Sequence, residues 1–202
     1  MDQSNDTLQS IEKRHSIRLF SDEPVPRPLL FTILEAANRA PSAHNQQSWH
    51  FIVIEGAMKK ELGDLVSNSA ARFPKSAAVF LRMAARSISS APVVVAVANT
   101  GELIEHGGRL FGIDPEQAAD FCRTMEIQSS AAAVENMLLA ATSIGLATVW
   151  LGALYLIKDE VLTLLGEPKG EFMAVVPLGF PLRETRGPEK RPLDAIIKYL
   201  AD

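Results

Sequence analysis

Apolar residues recur at the spacing of amphipathic helices along much of this chain. One such face runs through residues 28–39 and consists of Leu29, Leu30, Ile33, Leu34 and Ala37. Pro28 suits the first turn of this helix, and Ala40 ends it because a residue that precedes a proline avoids the helical region. The same reasoning predicts further helices, over residues 7–15, 59–73, 115–141 and 158–165 and through Leu193, Ile196, Ile197 and Leu200.

Four apolar runs that are short for helices predict β-strands. They lie at residues 49–54, 93–98, 147–151 and 172–178. The second run, VVVAVA, is uninterrupted and rich in β-branched residues, which is typical of a central strand. Residues 100–112, with Gly101, Gly107 and Gly108, are predicted to form a mobile loop. Because helices and strands do not alternate regularly, we expect an α+β fold, with one domain over residues 1–202.

Composition narrows the possible partners. The chain has 202 residues, 47% of them hydrophobic, and a formal net charge of −4, which argues against nucleic acid as a partner. Cys122 is the only cysteine, so neither an intramolecular disulfide nor a thiolate-rich metal cage can form, and the scattered histidines predict no metal site. The first residues, MDQSNDTLQS, do not read as a signal peptide, and no segment reads as a membrane span. We therefore expect a cytoplasmic protein.

Two basic segments are candidates for anion binding. In Arg14-His15-Ser16-Ile17-Arg18, residues two apart on an extended segment share a face, so Ser16 and Arg18 can point together. Arginine offers a planar fork of donors that suits phosphate oxygens. The second segment, Glu189-Lys190-Arg191, is predicted either to close on the same anion or to be solvated charge, and a solvated basic turn is the alternative for the first.

Two further segments have the composition of ligand-binding connections. Residues 40–49 combine small residues with Asn45, Gln46 and Gln47, whose amides donate and accept, as a heteroaromatic ring with mixed polarity requires. Gly145 and Gly152 bracket a strand, and Gly152 would let backbone amides approach a ligand. A loop rich in turn-forming residues and a simple strand end are the respective alternatives.

Taken in order, four segments resemble the nitroreductase family of FMN-dependent oxidoreductases. They are RHSIR at residues 14–18, APSAHNQQSWHF at 40–51, ENMLLAATSIGLATVWLG at 135–152 and VVPLGFPLRETRGPEKRPLDAII at 175–197. The resemblance implies a nitroreductase-like α+β fold, in which helices flank a mostly antiparallel or mixed sheet of four to five strands. It also implies a domain-intertwined homodimer with one FMN at each of two interface sites.

The resemblance further implies which residues bind the flavin. They are Arg14, His15, Ser16 and Arg18 at the phosphate, Pro41, Ser42, Ala43, Asn45 and Gln47 in a loop from the partner subunit, and Trp150, Leu151 and Gly152 near the reactive edge of the ring. Either Lys190 or Arg191 would also meet the phosphate, and Arg86 would take the position of a basic residue at the ribityl chain. Ser48 stands where the family usually has proline, and residues 100–121 carry no motif that aligns with it.

The implied activity is electron transfer from NADH or NADPH to a nitroaromatic, a quinone or a related small acceptor. In that family the flavin N5 takes the hydride in a ping-pong mechanism, so no catalytic side chain is expected. The alternatives are a non-catalytic flavin-binding or sensing protein and other flavin chemistry, such as flavin fragmentation, dehalogenation or azoline oxidation. Neither the acceptor nor the preferred nicotinamide follows from the sequence.

Overall fold

A four-stranded antiparallel sheet forms the centre of the fold in the computed structural model, which describes residues 5–112, 114–167 and 171–200. Its order is β1-β2-β4-β3. The strands are β1, Trp49–Ile54; β2, Val93–Asn99; β3, Ala147–Thr148; and β4, Glu171–Gly179. The predicted α+β class is confirmed, and so are three of the four strands at nearly their predicted bounds.

The uninterrupted apolar run of β2 is explained by its central position. Every residue of β2 is buried, and the strand pairs with β1 on one side and with β4 on the other. Because side chains alternate across a strand, Val94 and Ala96 face one apolar cluster, whereas Val93 and Val95 face the other. Both faces of the sheet are therefore covered, as the β-branched sequence of β2 indicates.

Seven α-helices surround the sheet in the described part of the chain. They are α1, Asp6–Lys13; α2, Arg27–Asn38; α3, Gly56–Ser69; α4, Lys75–Ser90; α5, Glu102–Phe111; α6, Pro115–Ser143; and α7, Lys158–Leu164. Helices α3, α4 and α7 contribute to the cluster on one face of the sheet, and α2 and α6 contribute to the cluster on the other face. Short 3-10 turns lie at Ala43–Asn45, Ala70–Arg72, Gly152–Ile157 and Leu193–Ala195.

Three expectations from the sequence are wrong. Residues 102–111 form helix α5 and not a mobile loop, because α5 packs against α6 in spite of its glycines. The helix predicted near the C-terminus is limited to one 3-10 turn, since its apolar residues are largely exposed in the described structure and gain little from packing. Strand β3 ends at Thr148, three residues earlier than predicted.

None of the described helices combines the length and apolar character that crossing a membrane requires. The cytoplasmic location stays a prediction.

Candidate cofactor-binding site

The basic segment after α1, residues 14–18, lies between two parts of the chain that are distant from it in sequence. The backbone N–H of Ile17 donates to the Thr148 carbonyl over 3.0 Å, and the N–H of Leu182 donates to the Leu19 carbonyl over 3.1 Å. Phe20 also forms an isolated antiparallel bridge with Pro181. These contacts bring residues 14–18 against β3 and against the segment that follows β4.

A cavity of about 450 Å³, called the basic cavity below, opens where these segments meet. Five of the predicted phosphate-binding residues line it, namely Arg14, His15, Ser16, Arg18 and Lys190. The remaining lining residues are Ile17, Leu19, Arg183, Thr185, Arg186, Gly187 and Pro188. The structure thus joins the first and last basic segments of the sequence at one cavity.

Side-chain contacts fix the wall formed by residues 14–15. Arg14 Nε lies 3.2 Å from Glu135 Oε1 of α6. His15 Nδ1 donates to the Lys13 carbonyl at 2.8 Å, and His15 Nε2 lies 2.8 Å from the Thr185 hydroxyl. The imidazole consequently links the N-terminal segment to the segment after β4.

The close packing of the N-terminal segment against the segment after β4 also requires a glycine at position 187. A Cβ added at Gly187 would lie 2.8 Å from His15 Cβ, closer than real Cβ contacts allow. The absence of a side chain at this position lets the segment that carries Lys190 lie against the N-terminal one.

A smaller cavity of about 200 Å³, called the apolar cavity below, adjoins the basic cavity at Arg18, which lines both. Trp150, Leu151 and Gly152, which the family resemblance implies at the flavin ring, line it together with Phe80, Met83, Ala84, Val149 and Ala153. The side chains of Phe80 and Met83 on α4 are unusually exposed for their type, at 60% and 44%. Apolar walls of this kind suit a planar aromatic ligand.

The predicted loop at residues 41–47 lies elsewhere in the chain. Asn45 and Gln47 line a separate cavity of about 350 Å³ beside α2, and Pro41, Ser42 and Ala43 line another of about 270 Å³ beside α6. Neither cavity shares a residue with the basic cavity or the apolar cavity. Within one chain, therefore, the structure does not bring this loop to the other predicted site residues.

The backbone of this loop is strained and is held by side-chain hydrogen bonds. His44, Asn45 and Gln47 have φ of 51°, 54° and 51°, in the left-handed region that non-glycine residues rarely adopt. The Ser42 hydroxyl accepts from the Gln47 N–H at 3.0 Å, and the hydroxyl of Ser129 in α6 accepts from the Ala43 N–H at 3.1 Å. Strain that is maintained in this way is common at functional sites.

Besides the loop at residues 41–47, two further predicted residues lie outside both cavities. Arg86 is exposed on α4, and neither Arg86 nor Arg191 is among the residues that line the basic cavity or the apolar cavity. The structure places Lys190 rather than Arg191 on the wall of the basic cavity, and the role of Lys190 at a phosphate stays a prediction.

The sequence did not single out several side chains that line these cavities, among them two arginines and two large apolar residues of α4. Arg183 and Arg186 belong to the basic cavity, and Phe80 and Met83 belong to the apolar cavity. The run RETRGPEKR was a signal for the first pair, because its arginines follow directly on the strand that ends beside Phe20. The second pair lies in residues 75–90, a segment for which the sequence pattern gave no assignment. Within the described ranges no group of three or more His, Cys, Asp and Glu residues is placed to hold a metal ion.

The chain is similar to known proteins over nearly its whole length. The model of the nitroreductase family matches residues 11–180. A protein of Archaeoglobus fulgidus, provisionally named an NADH dehydrogenase/NAD(P)H nitroreductase, is 33% identical over 182 residues, which are 88% of this chain and 86% of that protein. Iodotyrosine deiodinase 1 of Rattus norvegicus is 25% identical over 208 residues, which cover 96% of this chain and 69% of the relative.

Among solved structures, a nitroreductase with bound FMN from Bacteroides fragilis has a TM-score of 0.73 and is 27% identical. The match covers 98% of this chain and 100% of that one. The antiparallel sheet and the helices around it agree with the family that the family match and the archaeal relative indicate. The chain therefore belongs to the nitroreductase family.

Proposed function

We propose that this protein binds FMN and reduces a small organic acceptor with electrons from NADH or NADPH. The observation that carries the proposal is the meeting of the basic cavity and the apolar cavity at Arg18. A phosphorylated ligand with a planar ring has the same division into an anionic end and an apolar end. The FMN in the Bacteroides fragilis structure and the name of the Archaeoglobus fulgidus relative support this choice of cofactor and electron donor.

The donor set of the basic cavity fits the phosphate of FMN. Arg18 and Lys190 supply positive charge, and the Ser16 hydroxyl supplies a neutral donor. Arg14 is held in place by Glu135, which reduces the conformational entropy that it loses on binding an anion. Charge-assisted hydrogen bonds contribute about 1.5–3 kcal/mol each, so two or three of them are enough to retain the cofactor.

At the apolar cavity, Gly152 is the better candidate for a backbone donor to the ring. The N–H of Leu151 already donates to the Val175 carbonyl of β4 over 2.9 Å, so it is not free for a ligand. Gly152 is exposed, and a Cβ added there would meet no atom within 4 Å. A ligand can therefore approach the backbone of Gly152 closely, in the manner that only glycine permits.

When bound, FMN supplies a ring that accepts a hydride and passes an electron pair on to an acceptor. The residues of this chain bind and orient the ring. Arg18 holds the anionic end, while Trp150, Phe80 and Met83 surround the other end and exclude water. Among the described residues, Arg18 is the one charged side chain that lines the apolar cavity, so no side chain is assigned as a general acid or base.

The complete site needs a second copy of the chain. The loop at residues 41–47 does not reach the basic or the apolar cavity of its own chain. Large apolar side chains are exposed in the described C-terminal segment, with Leu193 66%, Ile196 55%, Tyr199 84% and Leu200 84% exposed. Exposed apolar surface of this extent is typical of a protein–protein interface. We propose a homodimer in which the loop of each subunit covers the flavin of the other.

An absorbance spectrum followed by anaerobic titration tests the proposed function. The purified protein should be yellow, and NADH or NADPH should bleach the flavin bands with one equivalent per flavin. A nitroaromatic or a quinone added afterwards should restore the bands. A protein that is colourless and does not bind added FMN would refute the proposal, and a flavin that neither nicotinamide reduces would favour a non-catalytic flavin-binding protein.

Reductive dehalogenation is the second candidate, because the deiodinase relative aligns with 96% of this chain. The two candidates differ in the acceptor that reoxidises the reduced protein. Recovery of the flavin bands with an iodinated phenol, together with release of iodide, would favour dehalogenation. Recovery with a nitroaromatic alone would favour the nitroreductase reaction.

A further inference from the structure

Helix α5 begins without a side-chain cap of its own. The residue before it is Gly101, which has no side chain and a φ of 79°. The Thr100 hydroxyl accepts from the Glu102 N–H only at 3.4 Å. The first N–H groups of a helix have no acceptor within the helix and are usually satisfied by a polar residue at the position before it. The first turn of α5 therefore needs an acceptor from elsewhere in the chain.

Glu126 of α6 supplies that acceptor. Its side chain is only 1% exposed, and its Oε1 accepts from the Leu103 N–H at 2.8 Å. The N–H of Ile104 faces the same carboxyl group and, like that of Leu103, acts to lower its pKa. An oxygen from α6 thus takes the place of the missing cap and ties the first turn of α5 to its neighbour.

Burying a carboxyl group in this position lowers the stability of the fold, which indicates that Glu126 has a specific role. Burial raises the pKa of Glu126, and the carboxylate of Glu171 in β4 raises it further. Glu126 Oε2 has no hydrogen-bond partner in the described structure, and the nearby Ser48 hydroxyl faces the carboxyl group without an aligned hydrogen bond. Since an apolar side chain would fill this space at lower cost, packing alone does not explain Glu126.

The other end of α5 reaches the loop at residues 41–47. The ring of Phe111, the last residue of α5, lies 5.1 Å from the ring of His44, centroid to centroid. Phe111 also contacts the edge of Phe121 in α6 at 5.4 Å. The Ala43 N–H donates to Ser129, which lies three residues after Glu126 on α6. The strained loop therefore contacts α5 through His44 and α6 through Ala43.

We propose that Glu126 is a positioning residue of the flavin site. Glu126 holds α5 on α6. Through Phe111, α5 in turn holds His44 and the loop at residues 41–47 in the shape that covers the partner's flavin. The docking of α5 depends only on contacts within one chain. The effect on the loop rests in addition on the proposed function.

Limited trypsin digestion of the FMN-loaded protein tests the docking. Arg109 lies on the exposed side of α5 and is a cleavage site that opens when the helix leaves α6. Glu126→Ala removes the acceptor, and cleavage after Arg109 should become about five to ten times faster, as expected for the loss of a helix cap. Glu126→Gln keeps a carbonyl oxygen for Leu103 and should restore most of the protection. Glu105→Ala, which removes an exposed carboxylate of α5, is the matched control.

Steady-state kinetics test the effect on the loop. Glu126→Ala should raise the KM for the acceptor about tenfold while the FMN content stays at one per chain, because the basic cavity contains no residue of α5. Glu126→Gln should rescue this KM. Phe111→Ala removes one contact to α6 but keeps the contact of Glu126 to the first turn of α5. It should raise the KM in the same way, while cleavage after Arg109 speeds up less than in Glu126→Ala, which separates the loop effect from the loss of the cap.

The digestion tests the docking of α5 on α6, and the kinetics test the effect of that docking on the loop. Unchanged cleavage in Glu126→Ala would overturn the docking role, and faster cleavage with an unchanged KM would overturn the link to the loop. A loss of FMN in Glu126→Ala that Glu126→Gln does not rescue would also overturn the proposal. If the wild type neither binds FMN nor consumes NAD(P)H, the proposed function fails with the loop effect, whereas the trypsin result still decides the docking.

Discussion

Arg18 is the residue on which the two cavities converge. It lines both the basic cavity and the apolar cavity, and in the described structure its side chain makes only a weak 3.5 Å contact, to the Ser16 carbonyl. A guanidinium that lacks an ion pair in the free protein loses no protein partner when it binds an anion. Arg14, by contrast, already has Glu135 as a partner. We therefore expect Arg18 to contribute more to FMN affinity than Arg14 does.

Replacing Arg18 by alanine should weaken FMN binding about ten- to a hundredfold, since one charge-assisted contact is worth about 1.5–3 kcal/mol. Titration of the apoprotein with FMN, followed by quenching of flavin fluorescence, measures the affinity. Lys75→Ala removes one positive charge from an exposed position at the start of α4 and should leave the affinity unchanged. Equal affinities for the Arg18 variant and the wild type would refute the phosphate role.

Glu126 should also make stability depend on pH. Burial raises its pKa above the value in the unfolded chain. Its stabilising contribution is therefore complete below the unfolded pKa, about 4.3, and is lost as the pH rises through the folded pKa. Glu126→Gln removes this titration, so the variant should gain stability relative to the wild type between acid and neutral pH. Urea denaturation of both proteins across this range measures the difference, and a constant difference would contradict the assignment.

At the scale of elements, the contact between α5 and α6 requires a glycine at position 107. A Cβ added there would lie 2.0 Å from Cys122 Sγ and 3.4 Å from Cys122 Cβ. The thiol is fully buried, and burial raises its pKa, so it acts here as a packing group. Gly107, one of the glycines that made residues 100–112 resemble a loop, is therefore a residue that the helix needs.

Gly107→Ala should destabilise the protein by about 1–3 kcal/mol, the usual cost of overpacking a core. In a Cys122→Ala background the sulfur is gone, and the same change should become neutral or stabilise by up to about 1 kcal/mol, because alanine favours a helix more than glycine does. Urea denaturation of the four proteins measures both effects. A Gly107→Ala change with the same effect in both backgrounds would show that the sulfur contact is unimportant.

Helices and strands could be predicted from the sequence where their own residues determine their stability. β1, β2 and β4 follow from continuous apolar runs, and α2 follows from its apolar face and the proline that ends it. Helix α5 was missed because its cap comes from Glu126, twenty-three residues away, and its glycine is explained only by Cys122. The helix near the C-terminus was predicted from spacing alone, yet a short apolar helix needs a surface to pack on.

The same distinction holds for the candidate site. The motif around Arg18 and the residues around Trp150 could be proposed from the sequence because each is a short local signal, and the structure places them at adjoining cavities. Phe80 and Met83 carry no local signal, since apolar residues on a helix normally indicate core. Their part in the apolar cavity depends on how α4 lies against residues 149–153, which no short segment of sequence encodes.

At the scale of the whole molecule, the proposed dimer is the feature on which the proposed site depends most. Phe31 of α2 is 64% exposed and Phe121 of α6 is 43% exposed, in addition to the apolar residues of the C-terminal segment. Burial of such side chains stabilises a protein by about 1.5–3 kcal/mol each, so one chain alone leaves much of this gain unused. The exposed residues belong to several elements, which favours an extensive interface between two chains.

Mixed dimers test whether each proposed flavin site is built from two chains. One variant, Arg18→Ala, carries a defective basic cavity and an intact loop. The other, Ser42→Ala with Asn45→Ala, carries an intact basic cavity and a loop without its polar side chains. Each homodimer has two defective sites, whereas a mixed dimer has one site with both defects and one site with none.

If the loop acts on the partner's flavin, co-expressed mixed dimers, separated by two different affinity tags, should bind FMN at one site of two and recover about half of the wild-type activity, the share expected from symmetry. If the loop acted within its own chain, each site of the mixed dimer would keep one defect and the activity would stay at the level of the two parent variants. The wild-type dimer purified with the same pair of tags is the control. Comparison of these activities separates a shared site from a site within one chain without any assumption about the acceptor.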